Sequence, residues 1–184
     1  LTASMNNHFW VGGLSQFDYQ ANDDLKISGG VDYRYYRGEH YVELRDLLGG
    51  DYWINDANLN SANPMKVVGD KVGWYDYHNH RHGFVQWAGG FGQLEYSKGR
   101  WTAFVNASGV ANGYKGVDYF MKKELSLTDT TLFIGAEDTI TYEGQTYDNN
   151  SEGLTFNQTP WKWLGGLTLK SGANYNLTEK SNLF

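Results

Sequence analysis

The chain has 184 residues, a formal net charge of -6 and no cysteine. The acidic balance argues against a nucleic-acid binder, which presents a basic patch, and the absence of thiols excludes disulfides and cysteine metal sites. Mean hydropathy is -0.59 and no apolar run approaches the roughly 20 residues of a membrane-spanning helix, which excludes helical spans alone, because a barrel strand is apolar only at alternate positions.

Aromatic residues make up 16% of the chain, with 23 Gly and 2 Pro, a mixture that favours sheet over helix. The first predicted strand covers about 8–21. Its odd positions (Phe9, Val11, Gly13, Ser15, Phe17, Tyr19) are mostly apolar, and its even positions mixed to polar. Asn22-Asp23-Asp24 forms a tight turn. A second strand, about 24–37, sets Leu25, Ile27, Gly29, Val31, Tyr33 and Tyr35 against Lys26, Ser28, Gly30, Asp32, Arg34 and Tyr36. A long segment follows, about 38–80, in which "HYVELRDLL" (40–48) can form two helical turns. The third strand is about 81–97, with a bulge expected at Gly89-Gly90. Lys98-Gly99 closes a hairpin onto the fourth strand, about 100–112. A second long segment, about 113–161, contains a possible hairpin at 131–147. The fifth strand, about 162–177, turns at 178–180 into a sixth, 181–184.

Every second connection is therefore a few residues and the others run to tens. Compact soluble domains rarely contain structureless loops beyond about 12–15 residues, whereas outer-membrane barrels pair short periplasmic turns with long outer loops. The apolar face carries Phe17, Tyr19, Tyr96, Trp101 and Tyr175 near the short turns and Phe9, Tyr33 and Tyr35 near the long loops, with small and aliphatic residues between. Two aromatic belts around an aliphatic band suit a bilayer. The expected fold is all-β, an antiparallel up-and-down transmembrane β-barrel segment. The alternative is a soluble β-sandwich binding glycans, which also alternates.

Candidate sites lie in both regions. Trp53, Trp74, Tyr75, Tyr77 and Tyr147 fall in the long segments, where aromatics can stack on a ligand or pack on their own loop. His78, His80 and His82 alternate, so on a strand they share one face at about 6.6 Å spacing, within the repertoire of Zn or Cu sites. Lys26, Asp32, Arg34, Lys170, Asn174 and Asn176 form the wet row that would face a barrel lumen. "DANLNS" (56–61) fails the calcium-loop pattern at Ser61 and Val67. Hydrolase motifs such as G-x-S-x-G are missing, so an enzyme is not expected, nor is a cofactor.

The segments "SGGVDYRYYRGEHY" (28–41), "DLLGGDYW" (46–53), "GQLEYSKGRWTAFVNAS" (92–108), "YKGVDYF" (114–120) and "WLGGLTLKSGANYNLTEKSNLF" (163–184) resemble the barrel of TonB-dependent outer-membrane receptors of the Bacteroidetes type. The resemblance implies a 22-stranded barrel with an N-terminal plug and energised uptake of a nutrient such as a glycan, siderophore or peptide. It also implies outer-membrane lipid, the plug, the remaining strands, TonB and a surface lipoprotein as partners. Six strands cannot close such a barrel, so the chain is expected to be an internal piece of a receptor.

Overall fold

The computed structural model describes residues 1–73, 80–178 and 181–184. The fold is all-β, with fourteen strands and no helix among the described residues. β1 (Thr2–Asn22) and β2 (Leu25–Leu44) form the first long hairpin. Three two-residue strands follow, β3 (Trp53–Ile54), β4 (Met65–Lys66) and β5 (Lys71–Val72), and then a second long hairpin, β6 (His80–Lys98) and β7 (Trp101–Asp118). Next come β8 (Lys123–Ser126), β9 (Thr131–Ile134), β10 (Thr139–Tyr142), β11 (Gln145–Asp148) and β12 (Asn157–Gln158), before β13 (Lys162–Thr178) and β14 (Ser181–Leu183). The principal sheet has the order β1-β2-β6-β7-β13-β14, with β5 added to β2 and β12 to β7. It does not close into a barrel; β1 and β14 end the order.

The chain forms two compact units. One comprises Trp10–Tyr36, Val85–Tyr114 and Lys162–Phe184 and is a single layer of sheet. The two-residue period governs it. Across β7 and β13 the register sets Leu169 opposite Ala107, Ala173 opposite Ala103 and Tyr175 opposite Trp101. The intervening pairs, on the other face, are Thr168 with Ser108, Lys170 with Asn106 and Asn174 with Thr102. Glycines admit large rings from the neighbouring strand. A Cβ on Gly172 would stand 2.6 Å from the Phe104 ring, and one on Gly30 2.7 Å from the Phe91 ring.

The other unit comprises Leu1–Phe9, Arg37–Phe84 and Lys115–Trp161 and holds the apolar core, Leu44, Val72, Phe120, Leu125 and Ile134. Its long segments are folded. Val42 pairs with Val72, β3 pairs with β4, and β8 pairs with β9. The Asn60 amide donates to the carbonyls of Tyr119 (2.9 Å) and Met121 (2.6 Å), tying one segment to the other. β10 and β11 turn at Glu143-Gly144, both with positive φ (47° and 80°), the geometry whose twist matches two antiparallel strands.

Two expectations are corrected. Residues 40–48 form no helical turns. β2 runs to Leu44 because Val42 and Glu43 pair with Val72 and Lys71, so sheet pairing overrides the apolar spacing. At Gly89-Gly90 β6 continues as strand, and Gly89 serves close approach, since a Cβ there would lie 2.6 Å from Asp32 Oδ1. A register shift occurs between Asn176 and Thr178. The hairpin expected over 131–147 is displaced, because Thr131–Ile134 pairs back onto Lys123–Ser126 and the hairpin itself spans Thr139–Asp148.

Candidate functional site

The first feature is the pair of sheet faces in the single-layer unit. On one face Val31, Leu94, Trp101, Val105, Leu167 and Leu169 are exposed, Leu167 by 91% and Leu169 by 75%. A hydrophobic patch of this extent marks an interaction surface. The opposite face mixes ion pairs and hydrogen bonds with the partly exposed rings of Trp87, Phe91 and Phe104. Lys26 lies 3.2 Å from Asp18 and Arg34 3.3 Å from Asp32, and the Gln93 carbonyl accepts from Asn106 at 3.1 Å. Arg34 also sits 5.5 Å over the Trp87 ring. Of the wet row, Lys26, Asp32 and Arg34 thus share a face with their partners, while Lys170 and Asn174 stand opposite Asn106 and Thr102. Asn174 donates to Asn176 at 3.0 Å.

The second feature is a cluster in the cored unit. Strand alternation places His80 and His82 two residues apart on β6, and β2 brings Glu39 to them. Glu39 Oε1 lies 3.3 Å from His80 Nε2 and 3.4 Å from His82 Nε2. The Lys71 ammonium donates to Glu39 Oε1 at 2.7 Å and to His80 Nε2 at 2.9 Å, and it sits 4.4 Å over the Tyr41 ring. Asn7 donates to Glu39 Oε2 at 3.3 Å. Tyr119 Oη is hydrogen bonded to His82 Nδ1 at 3.1 Å, and its ring stacks on His80 with centroids 4.6 Å apart. Phe120, almost fully buried, meets the His80 ring edge-on at 5.7 Å. His82 Nε2 is buried and completes no hydrogen bond.

The electrostatics follow from this packing. The Lys71 hydrogen bond, outweighing burial, pulls the Glu39 carboxyl down to about 2. Burial first, and the Lys71 charge second, push the His80 imidazole below its ordinary value, and Glu39 opposes both. Burial raises the Tyr119 hydroxyl, keeping it protonated. The cluster therefore presents one carboxylate, two imidazole nitrogens and one resident cation. His80, His82 and Glu39 offer ligand atoms all within 4.8 Å of one another.

The remaining sequence candidates are dispersed or lie elsewhere. Trp53 pairs with Lys66 in β3–β4 and Tyr147 with Ile140 in β10–β11, so the two stand in separate hairpins. Tyr147 Oη donates to Gln145 at 2.8 Å. Trp74, Tyr75, Tyr77 and His78 lie outside the described residues. Sequence reasoning missed Glu39, Lys71 and Tyr119. Glu39 follows an apolar-alternating strand and carries no motif, and only the pairing of distant strands brings it to the histidines. No family model matches the chain, and no curated protein or solved structure shows significant similarity to it.

Proposed function

We propose that the chain is a wall segment of an outer-membrane transport barrel of the TonB-dependent receptor kind, taking part in the uptake of a nutrient. One observation carries this reading. The single-layer unit exposes an apolar face that includes Leu167 and Leu169, and no second sheet belongs to that unit among the described residues. A soluble sandwich buries such a face under another sheet; a barrel buries it in lipid. The length of the strands supports the same reading. β1, β2, β6, β7 and β13 run 21, 20, 19, 18 and 17 residues, enough to cross the bilayer, where about 9–11 residues suffice, and to continue beyond it.

In this reading the ion-paired face lines the lumen, where Lys26, Asp32, Arg34 and Lys170 meet the plug or the substrate path. The role is binding and gating, without bond cleavage. The open sheet is completed by the remaining strands of the same receptor, since an unpaired edge is untenable in lipid. TonB, through a region outside this chain, and a surface lipoprotein are the further partners. Fractionation of the source cells tests the proposal. The chain is expected in the membrane fraction, resistant to alkaline carbonate and released by detergent as part of a heavier polypeptide. A species near 20.9 kDa, soluble without detergent, would overturn it.

A further inference from the structure

We propose that Glu39 Oε1, His80 Nε2 and His82 Nε2 form a binding site for a borderline divalent metal ion of the zinc class, in which the Lys71 ammonium is the resident cation that the metal replaces. The assignment stands apart from the membrane reading and rests on four features of the cluster.

The first is donor chemistry. An ammonium has three donors and no acceptor, so His80 Nε2, 2.9 Å from Lys71 Nζ, must accept and turns its lone pair toward the cluster. On His82 the other nitrogen, Nδ1, is engaged by Tyr119 Oη. That contact leaves Nε2 as the nitrogen buried beside Glu39 without a completed hydrogen bond; the tautomer with the proton on Nδ1 is the one that offers its lone pair to a metal. A partner on the far nitrogen of a ligating histidine is a common means of fixing its tautomer.

The second is geometry. Zinc takes imidazole nitrogen at about 2.0–2.1 Å and carboxylate oxygen at about 2.0–2.2 Å, so tetrahedral ligand atoms stand about 3.4 Å apart. The two carboxylate–imidazole separations are 3.3 and 3.4 Å. The third separation, between the imidazole nitrogens, falls within the 4.8 Å that bounds the group. Three protein ligands leave a fourth position for water or an incoming ligand.

The third is preorganisation. Tyr119 stacks on the His80 ring, and buried Phe120 closes its edge. Asn7 holds the second oxygen of Glu39, leaving Oε1 for the metal. The fourth is that the site already holds a positive charge at this position, supplied by a lysine on the short strand β5. Lys71 has a flexible stem, and from its present position its ammonium already lies 4.4 Å over the Tyr41 ring, a contact on the Tyr41 side toward which an incoming divalent ion can push it. Two imidazoles and one carboxylate select zinc-like ions over calcium or magnesium, which take oxygen ligands.

The test is titration of the metal-free full chain, in the lipid or detergent that keeps it folded, with Zn²⁺ against a chromophoric chelator. One equivalent should bind. His82→Ala should lose more affinity than the ~10–100-fold that removal of an outer partner costs, and Tyr119→Phe should fall within that range. Lys71→Met leaves every ligand in place and should tighten binding about fivefold, as expected for release of a half-exposed ion pair. That variant keeps the proposal testable if His82→Ala fails to fold, as judged by its near-ultraviolet circular dichroism. Absence of saturable binding by the wild type, unchanged affinity in folded His82→Ala, or weaker binding by Lys71→Met would each overturn the assignment.

Discussion

Trp101 and Tyr175 stand opposite each other in the register of β7 and β13, with ring centroids 4.7 Å apart. Trp101 follows the short connection Gly99-Arg100, and Tyr175 stands near the end of β13, opposite Leu183 of β14. Trp101 is more than half exposed, so soluble-core packing does not explain the pair. In the proposed barrel the pair would belong to an interfacial belt, where such rings offer an apolar body and a polar tip. Aromatic pairs contribute about 0.5–1.5 kcal/mol beyond area burial. Trp101→Ala and Tyr175→Ala should therefore couple by that amount in a double-mutant cycle on reversible unfolding from lipid vesicles. Simple additivity would remove the pair from the belt.

The two faces should respond oppositely to charge. Val31 lies on the exposed apolar face, packed near Gly90. Arg34 lies on the polar face, paired with Asp32 and resting on Trp87. Val31→Arg should block assembly, at a cost of about 2–4 kcal/mol if the site is near mid-bilayer. Arg34→Ala should spare it. Heat-modifiable mobility on gels reads both, and equal effects would contradict the facing.

The cored unit contains a position that tolerates no side chain. A Cβ on Gly135 would stand 2.7 Å from the Leu59 carbonyl oxygen. That oxygen already accepts from Ala136 N at 2.8 Å and is held in place. Gly135→Ala should destabilise this unit by about 1–3 kcal/mol, the usual cost of overpacking, measurable as a lower denaturant midpoint. A change below a few tenths would show that the 59 and 135 segments separate readily.

The same corner carries an acid-sensitive turn. Asp138 accepts from Gly135 N at 2.7 Å and pairs with Lys122 at 2.7 Å. The Lys122 hydrogen bond first, and the Gly135 amide second, hold its carboxyl below the ordinary value. A depressed folded value means that the turn's stabilisation is complete above the ordinary carboxylate range, about pH 4, and is lost as pH falls through the lowered value. Hydrogen exchange at the Gly135 amide, corrected for intrinsic rate, should speed up below about pH 4. Asp138→Asn should remove that dependence. An acid response that persists in the variant would assign it to another group.

The long hairpins were legible in the sequence because each alternates and each turn is short. The predicted strands at about 8–21, 24–37, 81–97 and 100–112 fall on β1, β2, β6 and β7, agree with them to within a residue at their turn-side ends and stop short of their loop-side ends. Their extensions were hidden. Thr2–Asn7 is polar, and residues 40–44 mimic helical spacing until Val72 pairs with Val42. The shared face of His80 and His82 also followed from a period of two. The arrival of Glu39 did not, because the register of β2 on β6 is set across a long connection rather than by a tight turn. Rings on the polar face, Trp87, Phe91 and Phe104, were unanticipated. They fill space left by Gly30 and Gly172 or support Arg34, a pairing visible only once neighbouring strands are aligned.

The most direct test of the proposed lipid-facing sheet is a spin-label scan of residues 167–170 in membranes of the source cells, each label placed on one introduced cysteine. No native cysteine within these 184 residues competes for the label. Labels at 167 and 169 should be accessible to oxygen dissolved in the bilayer and shielded from a water-soluble nickel chelate, with the reverse at 168 and 170. Equal access of the nickel chelate to all four positions would contradict a strand with lipid on one side.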